Sequence, residues 1–266
     1  MKKFGEVSLI IGVILIMILG ASTFVFMGVK SHVTHYVSIE VNPKVEFLTN
    51  SKNLVTSFKP INEEAKQLLI NEQFKGLKIT DATEKFIDLC TQAGYIDVNE
   101  KQNAVKISIL SGLNQKLELD LTRRVYKYFT ENQIFGAVVD ASKDLNMYKS
   151  AKNEGVTAEK YDLILAIMQN DDAEDISSLK KKSNKQLLKI IQQQHNDYQF
   201  EFTQEELAVK DGLILSNKDK YNNHLNSITK ASTKEFREEY TKYLKNDAKK
   251  YEQNFDKSYQ IWLENE

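Results

Sequence analysis

Between Val7 and Val29 the chain carries no charged residue and is built mostly of Ile, Leu, Val, Met and Phe. A run of this kind leaves few folding options. As a helix rising about 1.5 Å per residue it is long enough to cross the ~30 Å hydrocarbon core of a bilayer. Lys2 and Lys3 precede it, which predicts an N-terminus in the cytoplasm, although Glu6 and Lys30 keep the charge bias small. The alternative is a cleaved signal peptide, whose apolar region is roughly 7–15 residues and ends at small residues. Gly20-Ala21-Ser22 offers such a site, but Thr23 to Val29 continues the apolar run past it, and there is no lipobox cysteine. The expectation is a single-pass protein of the cell membrane. It has a cytoplasmic stub over residues 1–6, a transmembrane helix over 7–29, and its working part outside the cytoplasm.

The 266 residues are 41% hydrophobic, enough for a real core beyond the anchor. A net charge of −1 gives no electrostatic case for nucleic acid, which would need a basic face. The single cysteine, Cys90, rules out an intrachain disulfide. Phe86, Leu89 and Ala93 surround it at helical spacing, so it is expected to be buried.

After the anchor, Tyr36 to Val41 and Lys44 to Leu48 alternate in the β manner, and Leu54 to Phe58 adds a third strand closed by Pro60. These three predict a small antiparallel meander. Asn62 is a suitable N-cap for a helix over Glu63 to Ile70. Thr80 is read as the cap of a second helix, which runs through Ala93 to the stop at Gly94. A strand over Asn103–Leu110, a helix over Leu113–Tyr128, a short strand over Phe135–Val139 and two helices about Gly155, the second capped by Thr157, complete an α+β region. Beyond Asn170 proline is absent, and Ser183-x-x-Gln186, Thr203-x-x-Glu206 and Ser232-x-x-Glu235 read as capping boxes. The predicted division is an α+β extracytoplasmic domain over 30–179 and an all-helical region over 180–266. The last helix carries Phe236, Tyr240, Tyr243, Tyr251, Phe255, Tyr259 and Trp262 on one stripe. That stripe is either a core face or a surface for a partner, a wall polymer or a second copy.

Enzyme signatures are missing: no His-Glu-x-x-His, Gly-x-Ser-x-Gly, phosphate-cradling glycine loop or Cys-x-x-Cys. His32 and His35 have the i, i+3 spacing that would share a metal on a helix, but no third ligand stands near them. No metal, cofactor or small-molecule substrate is expected, and no multiple-turnover activity. One bond stands out. In Asn42-Pro43 the proline has no N–H, which blocks the familiar attack of the next residue's amide on the asparagine side chain. The remaining route is attack by the Asn42 side-chain nitrogen on its own main-chain carbonyl, which cuts the chain and leaves a succinimide. A hairpin that strains this junction would favour the cut. A plain turn is the competing reading.

The order of anchor, Val37-Ser-Ile-Glu-Val-Asn-Pro-Lys-Val-Glu-Phe47, Asn62-Glu-Glu-Ala-Lys-Gln-Leu-Leu69, Thr80-Asp-Ala-Thr-Glu-Lys-Phe86, Gly94-Tyr-Ile96, Asn103-Ala-Val-Lys-Ile-Ser-Ile109 and the helix pair about Gly155 resembles the extracytoplasmic domain of RsgI-type transmembrane anti-sigma factors of Gram-positive bacteria. The resemblance covers about residues 36–179. It implies self-cleavage at Asn42-Pro43, with the two pieces staying associated. It also implies later removal of the outer piece, intramembrane proteolysis by a downstream membrane protease, and release of a sigma factor. The family's cytoplasmic sigma-binding domain has no counterpart in the residues before the anchor, so the resemblance implies the signalling module alone. The other reading is a non-catalytic helical tether or interaction protein at the cell surface.

Overall fold

The computed structural model describes residues 33–110, 115–140, 145–169 and 175–247. The stub and apolar run expected over residues 1–29 lie outside them. No helix among the described residues is long and apolar enough to cross a membrane. The described residues all belong to one compact unit that begins at Val33.

The meander forms as the alternation predicts. Strands β1 (Val33–Glu40), β2 (Lys44–Asn50) and β3 (Val55–Pro60) pair antiparallel, with Ile39 opposite Val45 and Phe47 opposite Phe58. The β2–β3 turn is closed by Asn50, whose Oδ1 accepts from the Lys52 and Leu54 amides at 2.9 and 3.1 Å. Two further strands extend the sheet. β4 (Asn103–Leu110) pairs antiparallel with the free edge of β1, and β5 (Gly136–Asp140) pairs parallel with β4. The order is β3-β2-β1-β4-β5, so the sheet is mixed and β1 is its middle strand.

Both faces of the sheet are covered. Val37, Ile39, Val45, Phe47, Val105 and Ile107 point to one side. They pack there with residues of α2 (Ile79–Gln92) and α3 (Gln115–Glu131), including Phe86, Ile87, Leu121 and Val125. Tyr36, Leu48 and Leu110 point to the other, against Leu163 and Ile167 of α5 (Ala158–Met168) and Leu187 and Ile191 of α7 (Asn184–Asp197). The polar members of the strand pattern on that second side, Ser38, Glu46 and Lys106, are buried with them. The remaining helices are α1 (Glu63–Leu68), α4 (Leu145–Asn153), α6 (Ile176–Leu179), α8 (Gln204–Ser227) and α9 (Lys230–Asn246).

The helix starts are mostly set by local chemistry. Asn62, Thr157, Ser183 and Thr203 all accept from the backbone of their first turns, the last two in full capping boxes. Two expected starts are corrected. Thr80 lies inside α2, whose N-cap is Lys78 with no side-chain bond. Tertiary contacts move the start: Ile79 is fully buried and its amide donates to Asn53 O at 2.9 Å. The third box is Thr229 with Ser232, not Ser232 with Glu235. The Ser232 hydroxyl accepts from the Thr229 amide at 2.8 Å and so fills the reciprocal role that Glu or Gln usually takes. The expected stop at Gly94 holds, with φ +84°. Cys90 is buried in α2, and burial pushes its thiol pKa well up.

The helices after residue 180 pack on the α+β elements. On α8, Lys210 is buried, donating to Ile70 O at 2.5 Å and to Glu72 Oε1 at 2.8 Å. On α9, Phe236, Tyr240 and Tyr243 surround Phe135 with ring centroids 4.8, 6.0 and 5.2 Å away. The Tyr240 hydroxyl donates to Gly136 O at 2.7 Å. These three aromatic residues are therefore a core face of the chain's own fold and are not available to a partner. Tyr251, Phe255, Tyr259 and Trp262 lie outside the described residues.

Gly136 stands where β5 passes Phe129. A Cβ at that position would sit 2.6 Å from Phe129 Cζ, and Phe129 is itself fully buried. Gly136→Ala is expected to destabilise by about 1–3 kcal/mol through overpacking, read as a lowered midpoint in chemical denaturation. A midpoint unchanged from wild type would show that the ring has room to move.

Candidate functional site

The junction of β1 and β2 is a three-residue loop, Val41-Asn42-Pro43, closed by the Glu40–Lys44 pair. The Val41 amide donates to Pro43 O at 2.8 Å. Asn42 is exposed at the tip and Pro43 is buried beneath it. Asn42 has φ +61°. Asparagine tolerates this left-handed region better than most residues. A residue before proline, however, normally sits in the extended region near φ −120°. The backbone at the expected bond is thus held in an uncommon conformation, of the kind that costs on the order of 1–3 kcal/mol and persists only where its surroundings enforce it.

The loop is braced from the end of β3. Pro60 lies opposite Val45, and the next two residues turn back over the loop. The Ile61 amide donates to Lys44 O at 3.0 Å. Asn62 Oδ1 accepts from the Lys44 amide at 3.0 Å and from the Ala65 amide of α1 at 3.1 Å. With its oxygen so engaged, the Asn62 side chain turns its Nδ2 toward Asn42 and donates to Oδ1 at 3.2 Å. One residue therefore caps a helix, pins the first residue of β2 and contacts the side chain of Asn42. The sequence shows Asn62 only as a cap. Nothing in its spacing from Asn42 signals the second contact, which exists because β3 returns alongside β2. Asn62 also lines an open cleft of about 390 Å³, together with Lys59, Tyr198 and Glu201 among others, so water reaches it.

Below the loop the polar face runs from an exposed contact at Lys44 to the buried Glu46. The Lys44 ammonium donates to Gln169 Oε1 at 3.2 Å. Ser108 on β4 donates to the half-buried Asp162 of α5. Burial raises the Asp162 pKa, against the pull of the Ser108 bond and the Lys44 and Lys106 charges. Two residues further along β2, Glu46 is fully buried. It accepts from the Tyr36 hydroxyl at 2.5 Å and stands 3.2 Å from His195 Nε2 on α7. His195 Nδ1 is 3.2 Å from Ser57 Oγ on β3. A carboxylate only accepts, so Nε2 carries the proton and donates to Glu46. The Ser-His-Glu order is that of a nucleophilic triad, but the His195 and Glu46 side chains are sealed from solvent. The group works as a buried strut between α7 and the sheet.

His35 lies on β1, an extended strand, so the helical spacing that would pair it with His32 does not apply; His32 lies outside the described residues. Burial lowers the His35 pKa. Among the described residues no three His, Cys, Asp or Glu side chains stand together as metal ligands.

Residues 34–166 match the anti-sigma factor RsgI-like central domain. The chain belongs to this family. Relatives include the anti-sigma-I factors RsgI7, RsgI3 and RsgI9 of Acetivibrio thermocellus. RsgI7 is 23% identical over 160 residues, covering 59% of this chain and 29% of that protein. RsgI3 is 25% identical over 130 residues, 49% of this chain and 20% of that protein. RsgI9 is 35% identical over 81 residues, 30% of this chain and 11% of that protein. The chain thus spans less than a third of each of these relatives. The RsgI-like match runs from β1 to near the end of α5 and contains Asn42, Pro43, Lys44, Asn62 and Asp162. His195 and the helices α7 to α9 lie beyond it, yet α7 completes the second face of the RsgI-like sheet, while α8 and α9 pack into the core on its first side.

Proposed function

We propose that this chain is the membrane-anchored extracytoplasmic signalling module of an RsgI-type anti-sigma system, and that it cuts itself once at Asn42-Pro43. Residues 7–29 anchor it with the N-terminus in the cytoplasm. The reaction needs no cofactor. The Asn42 Nδ2 lone pair forms a bond to the Asn42 carbonyl carbon, the bond from that carbon to the Pro43 nitrogen breaks, and the proton lost from Nδ2 ends on the Pro43 nitrogen. The products are a C-terminal succinimide and a new N-terminal proline, with a combined mass equal to that of the intact chain. The positive φ of Asn42 before a proline is relieved by the cut.

The observation that carries this reading is where the bond lies in the sheet. A cut at Asn42-Pro43 leaves β1 on the anchored piece, and β1 is the middle strand, paired with β2 on one side and β4 on the other. Two ladders then hold the pieces together without a covalent link. Removal of the outer piece leaves a short extracytoplasmic stub on the anchor, the substrate form for a membrane protease. A sigma factor, to which the relatives' names point, is the partner whose release follows.

The test is the full chain with a C-terminal tag, purified from membranes and run on a denaturing gel with mass analysis. Wild type is expected to give a fragment that begins at Pro43. Asn42→Ala, which lacks the attacking nitrogen, is expected to stay whole. An intact wild-type chain after prolonged folding overturns the proposal.

A further inference from the structure

We infer that Asn62 is a positioning residue for the cut at Asn42, an inference that rests on the self-cleavage proposed above. The two ends of the Asn62 amide have different partners. Its Oδ1 already accepts from two backbone amides, Lys44 N and Ala65 N. Its Nδ2 must then face away from them, and it lies 3.2 Å from Asn42 Oδ1. A donor at that place fixes the Asn42 amide the same way round, with Oδ1 toward Asn62 and Nδ2 turned away from it. Nδ2 is the atom that must reach the main-chain carbonyl.

The contact does more than orient. An amide nitrogen is a poor nucleophile until it loses a proton, and the resulting negative charge is shared with Oδ1. A hydrogen bond donated to Oδ1 is stronger to that charged form than to the neutral one, so it lowers the barrier as an oxyanion donor does. The donor needs no reorganisation, because the helix cap and the Lys44 amide hold Asn62 in place before the reaction starts. The two roles are separable by substitution. Aspartate keeps both acceptor bonds and remains a good N-cap, but it has no donor when ionised and sets a negative charge beside the one that must develop.

The experiment follows cleavage of the full-length chain refolded from denaturant into detergent micelles across a range of pH. Wild type, Asn62→Asp and Asn62→Ala are compared, and the unfolding midpoint of each is measured alongside. Asn62→Asp is expected to slow the cut on the order of 10²-fold near neutral pH, the scale for losing one such donor, with its midpoint close to wild type. Below about pH 4, where an ordinary aspartate takes up a proton, the carboxyl O–H donates to Asn42 Oδ1 and the ratio of wild-type to variant rates shrinks. Asn62→Ala is slow throughout, with no recovery in acid. If Asn62→Asp cuts at the wild-type rate, or if its slowing is the same at every pH and follows a lowered midpoint, Asn62 is a helix cap and nothing more. A wild-type chain that does not cut refutes the underlying reading instead, so the two failures are told apart.

Discussion

Glu46→Ala is expected to destabilise the folded unit by about 2–5 kcal/mol, from a buried donor that loses its acceptor and the cavity that forms. Glu46 sits in the sheet between β1 and β3 with a side chain sealed from solvent. Its two oxygens serve two partners on different elements, Tyr36 of β1 and His195 of α7. Alanine leaves His195 Nε2 buried without its acceptor, a cost of about 1–3 kcal/mol, leaves the Tyr36 hydroxyl only its bond with Ser38, and opens a space under α7. Glu46→Gln is the control. Its carbonyl still accepts from Tyr36, and its side-chain amide donates to His195 once the ring proton moves to Nδ1 and bonds Ser57 Oγ. That exchange retains every hydrogen bond and discards only the buried charge, so Glu46→Gln is expected to lose less than half as much. Urea denaturation measures both. Amide exchange in α7 is expected to quicken in Glu46→Ala before the rest of the sheet responds. A loss near zero for Glu46→Ala would mean that α7 is held by Leu187 and Ile191 alone.

That strut marks the limit of what the residues disclose on their own. The three-strand meander is legible because its signals are local: alternation in Tyr36–Val41 and Lys44–Leu48, a turn cluster at Asn50–Asn53, and Pro60 at the end. The caps at Asn62, Thr157, Ser183 and Thr203 are legible for the same reason, since each is a bond between residues three apart. The start of α2 is not, because it depends on Asn53, remote in the chain, accepting the Ile79 amide. Nor is the burial of Glu46 and Lys106. A polar residue at every second strand position reads equally well as a face toward water or a face under helices, and only the return of α5 and α7 over the sheet decides it.

The site shows the same split. Asn42-Pro43 is visible as a dipeptide with unusual chemistry, and the flanking strands place it at a hairpin tip. The hand of Asn62 on the Asn42 side chain is a long-range fact. It arises from β3 running back beside β2, which brings residue 62 to residue 42 across twenty positions. The aromatic stripe on α9 is open between core and surface in the sequence, because helical spacing fixes a face without saying what lies against it. Phe135, on the loop before β5, supplies the answer for Phe236, Tyr240 and Tyr243.

The middle position of β1 gives a second large expected effect. Ile39 is fully buried and lies opposite Val45 on one side and Ile107 on the other. Ile39→Ala is expected to cost about 2–5 kcal/mol, from lost transfer energy and the cavity left in a core that faces α2 and α3. In an uncut chain that cost appears only as lower global stability. In the cut form proposed above, β1 is held by non-covalent contacts alone, so the same cost falls on the affinity between the pieces. At about 1.4 kcal/mol per tenfold, it weakens their association roughly 30- to 4000-fold. Ile39→Ala combined with Asn42→Ala stays one chain and should retain its tag on the membrane. Ile39→Ala alone should shed the outer piece after washing in mild denaturant, at a concentration where the wild-type pieces stay together. Equal retention in the two would show that the pieces are joined by something other than the β1 ladders, or that the bond was never broken. The distinction matters mechanically. A strand bound along both edges resists a pull along its axis through all its hydrogen bonds together, so the outer piece stays on until the sheet itself yields.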